Sequence, residues 1–176
     1  RDVSLEVLKD HFDNTPGLEQ SIISMPPELY AQYILSPRVS NEMIVPYRKA
    51  LTEFFPEAER QQYHDNPALL VDWVKNNIKT DDNLALQRIP ISPLGVLKAR
   101  KADRHSRDIF FVSMARSLGI AAQINPVNGN VQYFGKDWIH VDFEATEPAN
   151  TAVGALDIHY YPTASVSDAL YYTHFS

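Results

Sequence analysis

The chain has 176 residues, 44% hydrophobic and 22% charged, which suits one folded domain large enough to bury a core without a metal or disulfide staple. With 22 acidic against 16 basic side chains the net charge is −6, and outside Lys98, Arg100, Lys101, Arg104 and Arg107 the basic residues are scattered, which argues against a nucleic-acid surface. There is no cysteine, so disulfides, thiolate metal sites and thiol nucleophiles are excluded, and no apolar run reaches the roughly 20 residues that a membrane span requires.

In chain order, the first third reads as helices separated by prolines. Val3 to Phe12 carries apolar residues at Val3, Val7, Leu8 and Phe12, with Ser4 as a cap. Pro26 and Pro27 open a helix running through Glu28 to Leu35. Asn41 to Phe55 repeats the helical spacing, with Met43, Tyr47, Leu51 and Phe54 on one face and Pro46 in its first turns. Asn66-Pro67 then supplies a cap and a first-turn proline for an amphipathic helix bearing Leu69, Leu70, Trp73, Val74 and Ile78. These stripes read as core, and no cofactor is expected from them.

Thr80 to Pro93 is polar and reads as a loop. Asp103 or Ser106 caps the next helix, whose stretch Ile109 to Leu118 is apolar on most sides and is therefore expected to be central and buried, ending at Gly119. Ile120 to Asn125, Val131 to Phe134 and Trp138 to Phe143, joined by turns at Asn128-Gly129 and Gly135-Lys136-Asp137, predict an antiparallel meander. Small residues dominate Glu144 to Gly154, a loop. The end, with Tyr160-Tyr161 and Tyr171-Tyr172, reads as short extended segments leading toward a following domain. The fold class expected is α+β, a helical part over 1–92, a core motif over 93–143 and a trailing segment over 144–176. The chain begins without Met or a signal-peptide apolar region and stops in LYYTHFS, so it is read as a piece of a longer protein.

Ser106-Arg107-Asp108, the exit Ala115-Arg116-Ser117-Leu118-Gly119-Ile120 and the segment Trp138 to Asp142 resemble the core of transglutaminase-like proteins, which share the papain-type fold. The resemblance rests on Pro93 to Phe143, under a third of the chain. In that family a nucleophilic Cys opens the helix, a His follows on a strand, and an Asp comes on the next strand within Trp-x-x-x-Asp. Here the Cys position is Ser106, the intervening strand Asn130 to Phe134 has Gln132 and no His, and Asp142 matches the third member. The resemblance therefore implies a transglutaminase-like fold that has lost its usual nucleophile and base. It also implies an exported, multi-domain bacterial setting, in the cell envelope or secreted, with adjacent domains of the same chain as partners.

Two functions follow as expectations. The leading one is a non-catalytic domain for binding or structural support. The alternative is a serine amidase, peptidase or acyltransferase using Ser106, His140 and Asp142. A serine hydroxyl, unlike a thiol, stays protonated near neutrality and needs a positioned imidazole. Strand alternation puts Trp138, His140 and Asp142 on one face, where His140 and Asp142 have Cα atoms about 6.5 to 7 Å apart, awkward for a relay. His105 lies about a hundred degrees of helix rotation from its neighbour Ser106. His11, His64, His159 and His174 show no metal-ligand spacing, so no metal is expected. The basic cluster at 98–107 suits either an anionic ligand at the helix start or a solvated loop paired with Asp103 and Asp108. Gln132, Tyr133 and Trp138, with Tyr160 and Tyr161, are the expected ligand-binding residues, because aromatic planes suit sugars or peptide side chains and Gln132 can donate a hydrogen bond.

Overall fold

The computed structural model describes residues 3–17, 25–86 and 89–144, all within one compact unit, Arg1–Ala145. The expected loop beyond Glu144, the tyrosine pairs 160–161 and 171–172, and His159 and His174 lie outside the described residues.

Helix α1, Leu5–Asp13, starts where Ser4 accepts a hydrogen bond from Val7 N. Its buried side is Val7 and His11, whereas Leu8 and Phe12, expected inside, are exposed. Helix α2, Pro27–Tyr30, runs into a π-helical turn at Ala31–Leu35, matching the segment that Pro26-Pro27 opens.

The expected helix from Asn41 does not form before Arg48. Helix α3 is Arg48–Phe54, and Asn41 to Tyr47 is a turn-rich approach to it. At the expected start Glu42 turns its carboxylate back onto Val39 N and Ser40 N, each at 2.8 Å, closing a turn there, and Pro46 disfavours helical backbone at the residue before it. Met43 and Phe54 are exposed, whereas Tyr47 and Leu51 are fully buried.

Helix α4, Glu57–Asp65, has no buried residue and gave no apolar stripe to read. Helix α5, Pro67–Asn77, follows Asn66 as expected and buries Leu70 and Val74. The loop from Thr80 holds more structure than expected. Lys79–Thr80 (β1) pairs in parallel with Lys101–Ala102 (β2), and Asp82–Leu86 is a 3-10 turn. Helix α6, Pro93–Ala99, is also additional, with the Ser92 hydroxyl accepting from Gly95 N and Pro93 in its first position.

Helix α7, Arg104–Ser117, is the centre of the fold, with every residue from Ile109 to Ser117 buried. It packs against α3, α5 and α6 and against the first two strands of a meander made of Ala122–Ile124 (β3), Val131–Phe134 (β4) and Trp138–His140 (β5). Gly119 ends it at φ +79°, a left-handed conformation that glycine adopts without a Cβ penalty. The strands are antiparallel in the order β3-β4-β5, with Gln123 opposite Gln132 and Gln132 opposite His140. β5 stops three residues short of the expected Phe143, but Val141 and Phe143 still turn into the core. The fold is α+β.

Two arginines complete the interior in a way that hydropathy alone hides. Arg48 gives Nη2 to the carbonyl of Ile34 at 2.7 Å, and Arg116 reaches the carbonyls of Ala122, Ser36 and Arg38 at 2.8 to 3.0 Å. Together they tie the π-helical turn and the segment after it to α3 and α7. Burial lowers the Arg116 pKa to about 10, so it remains cationic near neutrality and its partners are backbone dipoles.

Candidate functional site

Asp103 and Ser106 meet at the start of α7, and both capping expectations apply to one cluster. Asp103 is the cap: its Oδ1 accepts from Ser106 N at 3.0 Å. The Ser106 hydroxyl donates to Asp103 Oδ2 at 2.5 Å and accepts from Ile91 N at 2.9 Å, with Ser106 0% exposed. Burial raises the Asp103 pKa, but the bonds from the Ser106 hydroxyl and amide outweigh it, and the carboxyl sits below its ordinary value. The hydroxyl proton is thus held by a carboxylate three residues back, and its lone pair by the loop leading to α6.

Among the described residues no histidine is hydrogen-bonded to this cluster. His105 is turned to Asn41 Oδ1 at 2.9 Å and Ser40 Oγ at 3.5 Å. His140 is exposed at the outer strand, and no hydrogen bond connects it with Ser106. Asp142 is exposed, and its carboxylate accepts from Glu144 N at 2.8 Å, closing a turn after β5. The structure therefore brings Ser106 together with Asp103 and Ile91, and not with His140.

The basic cluster disperses. Lys101 pairs with Asp81 at 2.5 Å and Arg104 with Asp82 at 3.3 Å, both on the surface. Arg100 lies over the rings of Phe54 and Trp73 at 5.0 and 5.1 Å. Arg107 is buried over Phe143, holds Thr80 Oγ1 at 2.9 Å and Glu144 Oε1 at 2.8 Å, and lies 3.4 Å from Asp108. These side chains answer carboxylates and rings of the chain itself, and they form no common anion cradle.

Of the expected ligand residues, Gln132 and Trp138 share a face of the sheet and Tyr133 does not. Val131 and Tyr133 point into the core, so their neighbours Gln132 and Phe134 point the other way, and Trp138 stands opposite Phe134. The spacing of Tyr133 from Gln132 is odd, which places it on the opposite face. Tyr33, from the π-helical turn, was not foreseen here. It meets Trp138 edge-on with ring centroids 4.8 Å apart, and Phe134 meets it at 5.4 Å. Gln123 Nε2 and Asn125 Nδ2 both donate to Gln132 Oε1, at 3.2 and 3.4 Å. Nothing in one strand's sequence reveals this row, because it depends on the register of β3 against β4.

Among the described residues no three His, Asp or Glu side chains are grouped so as to hold a metal ion, and no helix is long and apolar enough to cross a membrane. Two cavities stand out among the described residues. One of about 600 Å³ is lined by residues including Tyr30, Arg60, His64 and Gly119, and another of about 490 Å³ by residues including Lys79, Arg107 and Phe143. Neither is lined by Ser106, Gln132 or Trp138. No family model, curated protein or solved structure matches the chain.

Proposed function

We propose that this α+β chain is a non-catalytic, transglutaminase-like domain that serves binding or structural support within a longer protein. The observation that carries the proposal is the state of the Ser106 hydroxyl: fully buried, donating to Asp103 and accepting from Ile91 N. A nucleophile needs its oxygen open to a carbonyl and its proton in reach of a base. The Ser106 oxygen is enclosed, and its proton is held by a carboxylate of lowered pKa, with no imidazole bonded to it; these bonds are those of a helix cap that also anchors the loop before α6. The likeness to the papain-type fold rests on the order of a buried helix, a meander and Asp142 four residues after Trp138.

The test is Ser106→Ala in the full chain, read for both stability and turnover. Removing the hydroxyl leaves Ile91 N without its partner, which is expected to cost about 1 to 3 kcal/mol in a denaturant titration. Hydrolysis of peptide amides and activated esters is expected to stay at the level of buffer in both proteins. Measurable hydrolysis that disappears in Ser106→Ala and in His140→Ala would overturn the proposal in favour of the serine enzyme.

A further inference from the structure

Gln123, Asn125, Gln132, Phe134, Trp138 and His140 occupy the sheet face turned away from α7, since cross-strand partners share a face and Val131 and Tyr133 fill the other. At one end stands the ring of Trp138, which Phe134 and Tyr33 each meet edge-on. At the other is the row of amides ending at exposed His140.

The accounting of hydrogen bonds in this row points outward. Two amide nitrogens converge on Gln132 Oε1, which fixes the orientation of that side chain. Its Nε2 then has two hydrogens, and no described residue accepts them. Trp138 is half-buried, held in place by Tyr33 and Phe134. The face thus presents an immobilised indole beside an immobilised primary amide, with a histidine ring nitrogen close by on the same strand.

We infer that this outer sheet face binds a neutral pyranose oligosaccharide, with a sugar ring against Trp138 and its hydroxyls bonded by Gln132 and His140. The inference rests on the non-catalytic reading above and assigns that reading its ligand class. A pyranose has an apolar C–H face that suits an aromatic ring, and hydroxyls that both donate and accept, as amides do. Other ligands fit less well. A phosphate-bearing ligand needs clustered Lys or Arg, and none of the six residues on this face is basic apart from His140. An extended peptide is taken up chiefly by backbone bonds along a strand edge, not across the face of a sheet.

The experiment uses the full chain labelled with heavy nitrogen and titrated with cellohexaose, xylohexaose, mannohexaose and maltohexaose. A neutral hexapeptide and an acidic hexapeptide serve as counter-probes. The readout is the side-chain amide signals of Gln123, Asn125 and Gln132 and the two indole signals, with mass spectrometry of each probe afterwards. At least one hexaose is expected to shift the Gln132 amide and the Trp138 indole saturably while leaving Trp73 in place. Trp138→Ala and Gln132→Ala are each expected to weaken that binding by about tenfold. Gln132→Ala also takes the acceptor from Gln123 and Asn125, so the melting temperature of each variant is measured beside its binding, and weaker binding counts only where the variant stays folded at the titration temperature. If no hexaose moves these signals, or only a peptide does, the sugar assignment is overturned while the non-catalytic reading stands. Recovery of a shortened hexaose would instead overturn the non-catalytic reading and leave the sugar assignment in place.

Discussion

At Phe111 the consequence of a truncation follows from what surrounds the ring. The residue is fully buried in α7, its ring meets Phe143 edge-on at 5.5 Å, and it belongs to the cluster that joins the helices to the meander. Cutting it to alanine leaves a void inside that cluster, beside the Phe143 ring. Phe111→Ala is expected to cost about 3 to 5 kcal/mol in chemical denaturation, and a near-neutral effect would remove Phe111 from the core. Ser106 belongs at this scale too. Its identity and its place at a helix start are legible in the sequence, but its two bonding partners are not. Asp103 lies one turn back, whereas Ile91 arrives from another part of the chain, so only the fold shows that the hydroxyl is already engaged.

Among the elements, those that announced themselves did so through two signals acting together. Asn66-Pro67 ahead of Leu70 and Val74 gave α5, and a cap at Asp103 or Ser106 ahead of the largely apolar stretch from Ile109 gave α7. Where only one signal was present, the reading failed. Met43, Tyr47, Leu51 and Phe54 keep helical spacing, yet the carboxylate of Glu42 closes a turn just ahead of that stretch, the helix starts only at Arg48, and only Tyr47 and Leu51 enter the core. Helix α4 is polar all round, so it offered no stripe. Ser92-Pro93 did signal the start of α6, but Gly95 obscured it. Gly95 is there for space: a Cβ at that position would stand 2.8 Å from Ile91 Cγ2 and 3.2 Å from Ser92 Oγ. Gly95→Ala therefore sets a helix preference of about 1 kcal/mol against a clash with the very residue whose amide bonds Ser106. The clash is expected to win, lowering stability by about 1 to 3 kcal/mol. A melting temperature above that of the parent protein would show that Ile91 moves aside freely.

Across the whole molecule, α1 is held less by apolar contact than by a polar latch. Leu5, Leu8 and Phe12 face solvent, while Asp10 accepts from Arg48 N at 2.7 Å and Lys49 N at 3.2 Å, capping α3 from a distant part of the chain. His11 completes the latch: Arg48 Nε donates to its Nδ1 at 3.3 Å, and its Nε2 lies 3.2 Å from the Val45 carbonyl, with Tyr47 edge-on at 4.4 Å. That pattern requires a neutral imidazole carrying its proton on Nε2. A second proton would set an N–H against the Arg48 donor and add a positive charge beside the guanidinium. Burial first, and Arg48 second, lower the His11 pKa below its ordinary 6.5, with Val45 and Asp10 opposing. Above 6.5 both folded and unfolded chains hold the neutral ring, so His11 adds no pH dependence there. Below it, the unfolded chain takes up a proton that the folded one refuses, and stability falls with a slope of at most about 1.4 kcal/mol per pH unit until the folded pKa is reached. Other groups titrate over the same range. Burial raises the pKa of Asp108, which acts in the opposite sense, but that contribution is shared by a His11→Gln variant and cancels in the difference. Thermal unfolding of both proteins between about pH 7.5 and pH 5 is the measurement. The parent is expected to lose its advantage over His11→Gln as the pH falls, with the exchange protection of α1 lost first. Parallel curves for the two proteins would mean that His11 titrates normally and that the latch is held by Asp10 alone.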